Sequence, residues 1–215
     1  SWTDYAYQSA RLPLRERCEF FGAGSRNCTC EGPLEPTPHS WLHGWQNAFD
    51  RNLDLVNQHK DELLDVVLLG DSMTEHWHGT DLGTPKSYFQ ENKQVYDELF
   101  SGDPVKGLAL GIGGDQTGTL LYRLFHGEFG AEGKVYWLLI GINDLLGGQC
   151  TSDLVVAGTI LNVEAILAAK PSATVVVNSL LPFHRGVLAQ SRGWQYIQSM
   201  NDRLECYASG RERVE

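Results

Sequence analysis

Asp65-Val66-Val67-Leu68-Leu69-Gly70-Asp71-Ser72-Met73-Thr74-Glu75 is the stretch whose reading decides the fold. Val66 to Leu69 form an unbroken apolar run without alternation, the pattern of a parallel strand covered on both faces. Gly70 lets the chain turn, and Asp71-Ser72 open the next helix. There the Ser72 hydroxyl would sit beside unpaired backbone N–H groups, a good place to hold a nucleophile. Asp and Ser are also common helix caps after a strand, so on this stretch alone capping and catalysis stand level.

Upstream, Trp45, Phe49, Leu53 and Val56 are spaced for one apolar face of a helix over 45–63. Residues 1–44 are rich in Gly, Pro, Cys and Trp without sustained period and read as an irregular arm packed on a domain spanning 45–215. Downstream, a short helix carries His76 and His78. Two helical positions two apart point to different faces, so a solvated helix is favoured over a metal pair. A helix over 84–100 follows, its apolar side supplied by Tyr88, Phe89, Tyr96, Leu99 and Phe100, and then a strand at 105–111.

That strand ends in Gly111-Ile112-Gly113-Gly114-Asp115-Gln116-Thr117, where glycines allow positive φ and close backbone approach to a ligand. A dinucleotide fingerprint would need glycine at 116, where Gln stands, and no Gly-Lys-Ser/Thr follows, so nucleotide binding is disfavoured. A plain glycine corner between strand and helix is the simpler alternative. The third strand, at 135–140, is apolar throughout and leads to Gly141-Ile142-Asn143-Asp144. An amphipathic helix at about 152–169, a fourth strand at 173–180, the turn Leu181-Pro182-Phe183-His184 and a last helix over about 190–207 complete the pattern. Strands alternating with helices imply right-handed crossovers and a parallel sheet covered on both faces, an α/β class fold. Ligands in such sheets bind at the carboxyl ends of the strands, where Ser72, Gly113, Gly114, Asn143 and His184 all fall.

The 215 residues suit one domain with a sizeable core. A net charge of −10 without a Lys/Arg cluster argues against a nucleic-acid or anionic-membrane surface. No apolar run approaches a membrane span, no signal-peptide pattern opens the chain, and its start at Ser1 reads as that of a processed product. Cys18, Cys28 and Cys30 cluster in the arm while Cys150 and Cys206 lie far apart, which points to an oxidising compartment and leaves at least one thiol unpaired. Cys28-Thr29-Cys30 lacks zinc-site spacing, so no metal is expected. Asn27-Cys28-Thr29 fits an N-glycosylation acceptor and agrees with a secretory route, extracellular or lumenal.

A serine, a backbone N–H beside a glycine and an asparagine amide on one rim are the parts for acyl transfer. Gly70-Asp71-Ser72, Gly111-Ile112-Gly113-Gly114-Asp115 and Gly141-Ile142-Asn143-Asp144, in that order, resemble the SGNH (GDSL-type) hydrolase superfamily and, within it, the platelet-activating-factor acetylhydrolase catalytic subunits. The Leu-Leu-Pro turn at 180–182 is similar too, and the resemblance runs from about residue 40 to the C-terminus. It implies a three-layer α/β/α sandwich with a flavodoxin-like parallel sheet. Ser72 would be the nucleophile, and the Ser72 N–H, the Gly114 N–H and the Asn143 side chain the oxyanion donors, with Asp71, Asp115, Asp144 and His184 in support. No cofactor is implied. The implied substrate is a short-chain acyl ester on a lipid or an acetylated sugar, and the implied assembly a homodimer or a subunit of something larger.

Met73 replaces the family's leucine beside the nucleophile. The larger departure is that no Asp-x-x-His, the family's base-bearing block after a fifth strand, occurs in these residues. A serine without a base is a poor nucleophile at neutral pH. Three readings follow: the base lies on a further segment, with the final strand missing here; His184 or His76 replaces it; or the domain is an inactive structural or binding subunit.

Overall fold

The computed structural model describes residues 33–146, 150–182 and 193–215. Its sheet is built from β1 (Leu63–Gly70), β4 (Gly107–Gly111), β5 (Glu132–Leu139) and β6 (Thr174–Val177), while β2 (Thr80–Asp81) and β3 (Thr84–Pro85) form a small separate hairpin. The helices are α1 (Trp45–Gln58), α2 (Ser72–Glu75), α3 (Gln90–Phe100), α4 (Thr117–Phe125), α5 (Ile142–Leu146), α6 (Ser152–Ala169) and α7 (Gly193–Ser209).

All four sheet strands are parallel in the order β4-β1-β5-β6. The chain steps from β1 to one neighbour and then crosses to the other, so the switch point lies over the carboxyl end of β1, directly above Gly70. Beneath it, Val67, Leu69, Leu110, Leu138 and Val175 are buried against α4, α6 and α7. The opposite face carries α3 and the 3-10 turn His76–His78, with the Tyr96 hydroxyl donating to Gly107 O at 3.0 Å and accepting from Ala109 N–H at 3.1 Å. The result is the three-layer α/β/α arrangement.

Several elements differ from the pattern read in the sequence. α6 has the expected span but is apolar all round rather than amphipathic, because both its sides are packed inside the protein. By length and composition it could cross a membrane, yet most of it is buried in the core. The helix expected over 84–100 starts only at Gln90: Thr84 and Pro85 belong to the hairpin, Ser87–Phe89 is a 3-10 turn, and Leu99 is exposed. Pro85 provides no N–H and disfavours a helical residue before it. The fourth strand is shorter, at Thr174–Val177, and the N-terminal part of the last helix expected at 190–192 lies outside the described residues. At the end of the chain Val214 bridges Val175 in parallel. Val175 N–H donates to Arg213 O at 2.9 Å and Val177 N–H to Glu215 O at 2.8 Å, so a fifth strand position beside β6 is already engaged.

Candidate active site

Ser72 is the first residue of α2, immediately beyond the end of β1. Asp71 caps that helix, its Oδ1 accepting from Met73 N–H at 3.0 Å. Capping and exposure of a hydroxyl therefore fall on adjacent residues and do not compete. The turn is tight enough to require glycine: a Cβ on Gly70 would lie 2.3 Å from Thr74 Oγ1 and 2.4 Å from Leu139 O. Ser72 is half-buried, and its hydroxyl has no hydrogen-bond partner among the described residues.

The glycine loop after β4 is a turn closed by Asp115 N–H donating to Ile112 O at 3.2 Å. Gly114 has φ +80°, the value a type II turn needs at its third residue and one that favours glycine. Asn143, in α5, joins the three loops: its Nδ2 donates to Asp115 O at 2.9 Å and to Asp71 Oδ2 at 3.3 Å. Ser72, Gly113 and Gly114 line one open cavity of about 390 Å³, together with Leu42, His76, Asp81, Leu82, Tyr88 and Phe89.

The acidic residues singled out in the sequence lie behind this rim. Burial pushes the Asp71 carboxyl up to about 7, against the Met73 N–H, with Asp115 adding to the rise. Asp144 is likewise raised to about 7 by burial, opposed by the Thr117 hydroxyl and N–H, which hold it at 2.7 and 3.1 Å. It anchors the start of α4. Asp115 accepts from Trp45 Nε1 at 2.7 Å and from Arg123 Nη1 at 2.5 Å, with His39 Nδ1 3.7 Å from its Oδ1. None of the three faces the cavity.

Of the histidines, His76 shares the cavity with Ser72 and stacks on Phe89 at 3.5 Å between centroids, rather than standing on a solvated helix. Burial lowers its pKa, against Asp81 and Glu75, so its ring is neutral at pH 7. His78 turns inward, with Nε2 2.7 Å from Ala109 O. His184 lies outside the described residues. No cluster of three or more metal-ligating side chains occurs among the described residues.

Sequence reading missed the groups that hold these loops. Arg123, fully buried, donates to Gly70 O at 3.0 Å and Leu110 O at 2.7 Å, tying together the two strands that lead to Ser72 and Gly114. It also pairs with Glu128 at 2.9 Å, and Asn52 donates to the same carboxylate at 3.0 Å. Burial works against its charge, but Glu128 and Asp115 outweigh it and raise the guanidinium pKa. Glu75, equally buried, was missed as well. Charged residues inside an otherwise helical pattern carry no sequence mark that separates them from solvated ones.

The chain belongs to the GDSL-like lipase/acylhydrolase family, whose profile matches residues 68–213. It is 31% identical over 152 residues to the platelet-activating factor acetylhydrolase IB subunit alpha1 of Rattus norvegicus, covering 69% of this chain and 56% of that protein. With the alpha2 subunit of Homo sapiens it shares 32% over 139 residues, 64% of this chain and 52% of the other. The chain thus spans about half the length of these curated relatives. Among solved structures, a Streptococcus pneumonia protein described under the name platelet activating factor superposes with a TM-score of 0.61 at 22% identity, covering 82% of this chain and 75% of that one. A GDSL-like lipase from Bacteroides thetaiotaomicron gives 0.53 at 22%, over 77% and 73%. Both share the fold.

Proposed function

We propose that the protein is a serine esterase that cleaves short-chain acyl esters through an acyl-Ser72 intermediate. The observation that carries this reading is the shared cavity of Ser72, Gly113 and Gly114, with Asn143 behind it bridging the loops of all three motifs. In the first step Ser72 Oγ bonds to the ester carbonyl carbon, its proton passes to a base, and the alcohol leaves with a proton returned to it. The Ser72 and Gly114 N–H groups and Asn143 Nδ2 would hold the oxyanion; for Asn143 this means exchanging a contact with Asp115 O for the substrate oxygen. Water then attacks the acyl carbon and frees Ser72.

The base is proposed to stand on a segment that continues the strand begun by Arg213–Glu215 beside β6. Two points support this: the match covers only 56% of the alpha1 relative's length, and no described group hydrogen-bonds to Ser72 Oγ. His76, neutral and in the same cavity, is the replacement that these residues themselves offer. The cavity is small and open, which favours a short acyl group on a lipid or a sugar over a long chain. Cys150 is disulfide-bonded and Cys206 is a free thiol, in keeping with our assignment to a secretory or lumenal compartment.

The test is labelling of the full-length protein by a fluorophosphonate serine probe. Labelling that disappears in Ser72→Ala is expected. A folded wild type that takes no label would leave an inactive structural or binding subunit.

A further inference from the structure

Glu75 is completely buried one turn beyond Ser72, yet nothing in the chemistry above uses it. Its carboxylate is saturated. Oε2 accepts from Gly113 N–H at 2.7 Å and Leu82 N–H at 3.0 Å, and Oε1 from Gly83 N–H at 2.8 Å and the Thr80 hydroxyl at 3.0 Å. Arg51 Nη1 stands 3.7 Å from Oε1 and also donates to the Thr80 hydroxyl. One carboxylate thereby grips both walls of the cavity: the Gly113-Gly114 turn on one side, and on the other the β2-β3 hairpin that contributes Asp81 and Leu82. The fit is close, since a Cβ on Gly113 would come within 3.0 Å of Asp81 Oδ1 and 3.4 Å of Glu75 Oε2.

The grip matters because of the turn it holds. In a type II turn the peptide between the second and third residues is rotated relative to type I, and that peptide carries the Gly114 N–H. Two glycines at 113 and 114 impose little preference between the two orientations. Glu75 fixes the residue just ahead of the peptide through a charge-assisted bond to Gly113 N–H.

We propose that Glu75 is the positioning residue of this loop, holding the Gly113-Gly114 peptide so that the Gly114 N–H faces the carbonyl attacked by Ser72. The proposal rests on the esterase reading for its catalytic consequence, but not for its structural one. The experiment compares wild type, Glu75→Gln and Thr80→Val in the full-length protein. Thr80→Val removes one bond to the same carboxylate while leaving the bond to Gly113 untouched. Amide hydrogen exchange and turnover of p-nitrophenyl acetate are both read.

In Glu75→Gln, exchange at Gly113, whose N–H the carboxylate holds, should quicken at least tenfold while α6 amides stay protected. kcat should fall by roughly 10²-fold, about the effect of losing one oxyanion donor, with KM changed by less than about threefold. Thr80→Val should keep kcat within about threefold. Unchanged exchange at Gly113 in Glu75→Gln overturns the proposal whether or not the protein turns over. Faster exchange with unchanged kcat in an active enzyme overturns it too. Faster exchange in a protein whose wild type has no Ser72-dependent turnover upholds the positioning and instead removes the esterase reading.

Discussion

Asn143 shows how much one side chain can be asked to do. It sits at the start of α5, and its amide reaches the backbone of the glycine loop and the carboxyl that caps α2. Removing it should cost catalysis more than stability. Asn143→Ala is expected to lower kcat by roughly 10²–10³-fold with KM little changed, measured by steady-state turnover beside a thermal melt. Asp71 is a second residue with two duties, as cap of α2 and as acceptor from Asn143. That explains why a carboxyl tolerates a site where burial drives its pKa up to about 7.

At the scale of elements, the site is a matter of strand ends held in register. β1 and β4 pair from Val66 opposite Gly107 to Gly70 opposite Gly111. At Gly70 and Leu110, Arg123 of α4 clamps their carbonyls from below. Gly111 has to be glycine, since a Cβ there would lie 2.3 Å from Glu75 N and 2.6 Å from Asp71 O. Replacing Arg123 by Met would strand Asp115 and Glu128 as buried carboxylates without their cation. Loss of one partner of such a pair typically costs about 3–5 kcal/mol, so Arg123→Met should show a markedly lower denaturant midpoint and a loosened site.

For the whole molecule, the two raised carboxyls give a definite sign to the pH dependence. Asp71 and Asp144 ionise near 3.8 when unfolded and near 7 when folded, so the folded state holds their protons longer. Their contribution to stability is fully present below about pH 3.8 and is lost as pH rises through about 7. Asp71→Asn abolishes one of these titrations. Melting temperatures taken from pH 5 to pH 8 should therefore fall less steeply with pH in Asp71→Asn than in wild type; parallel curves would contradict the assignment.

The sequence by itself determined the alternation of strands and helices, the parallel sheet and the three loops that meet at its carboxyl edge. Those features are written in local terms: an apolar run such as Val66 to Leu69 has one use in a sheet covered on both faces, and glycine turns mark where strands stop. Tertiary structure alone decided which polar residues are inside. Glu75, Arg123 and Asn52 look in sequence like the charged and polar residues of any exposed helix, and only the convergence of α1, α2 and α4 on the ends of β1 and β4 buries them. It also decided that His76 faces the cavity while His78 turns inward, and that most of α6 is buried in the core. Burial is set by partners distant in the chain, and periodicity within one segment cannot report them.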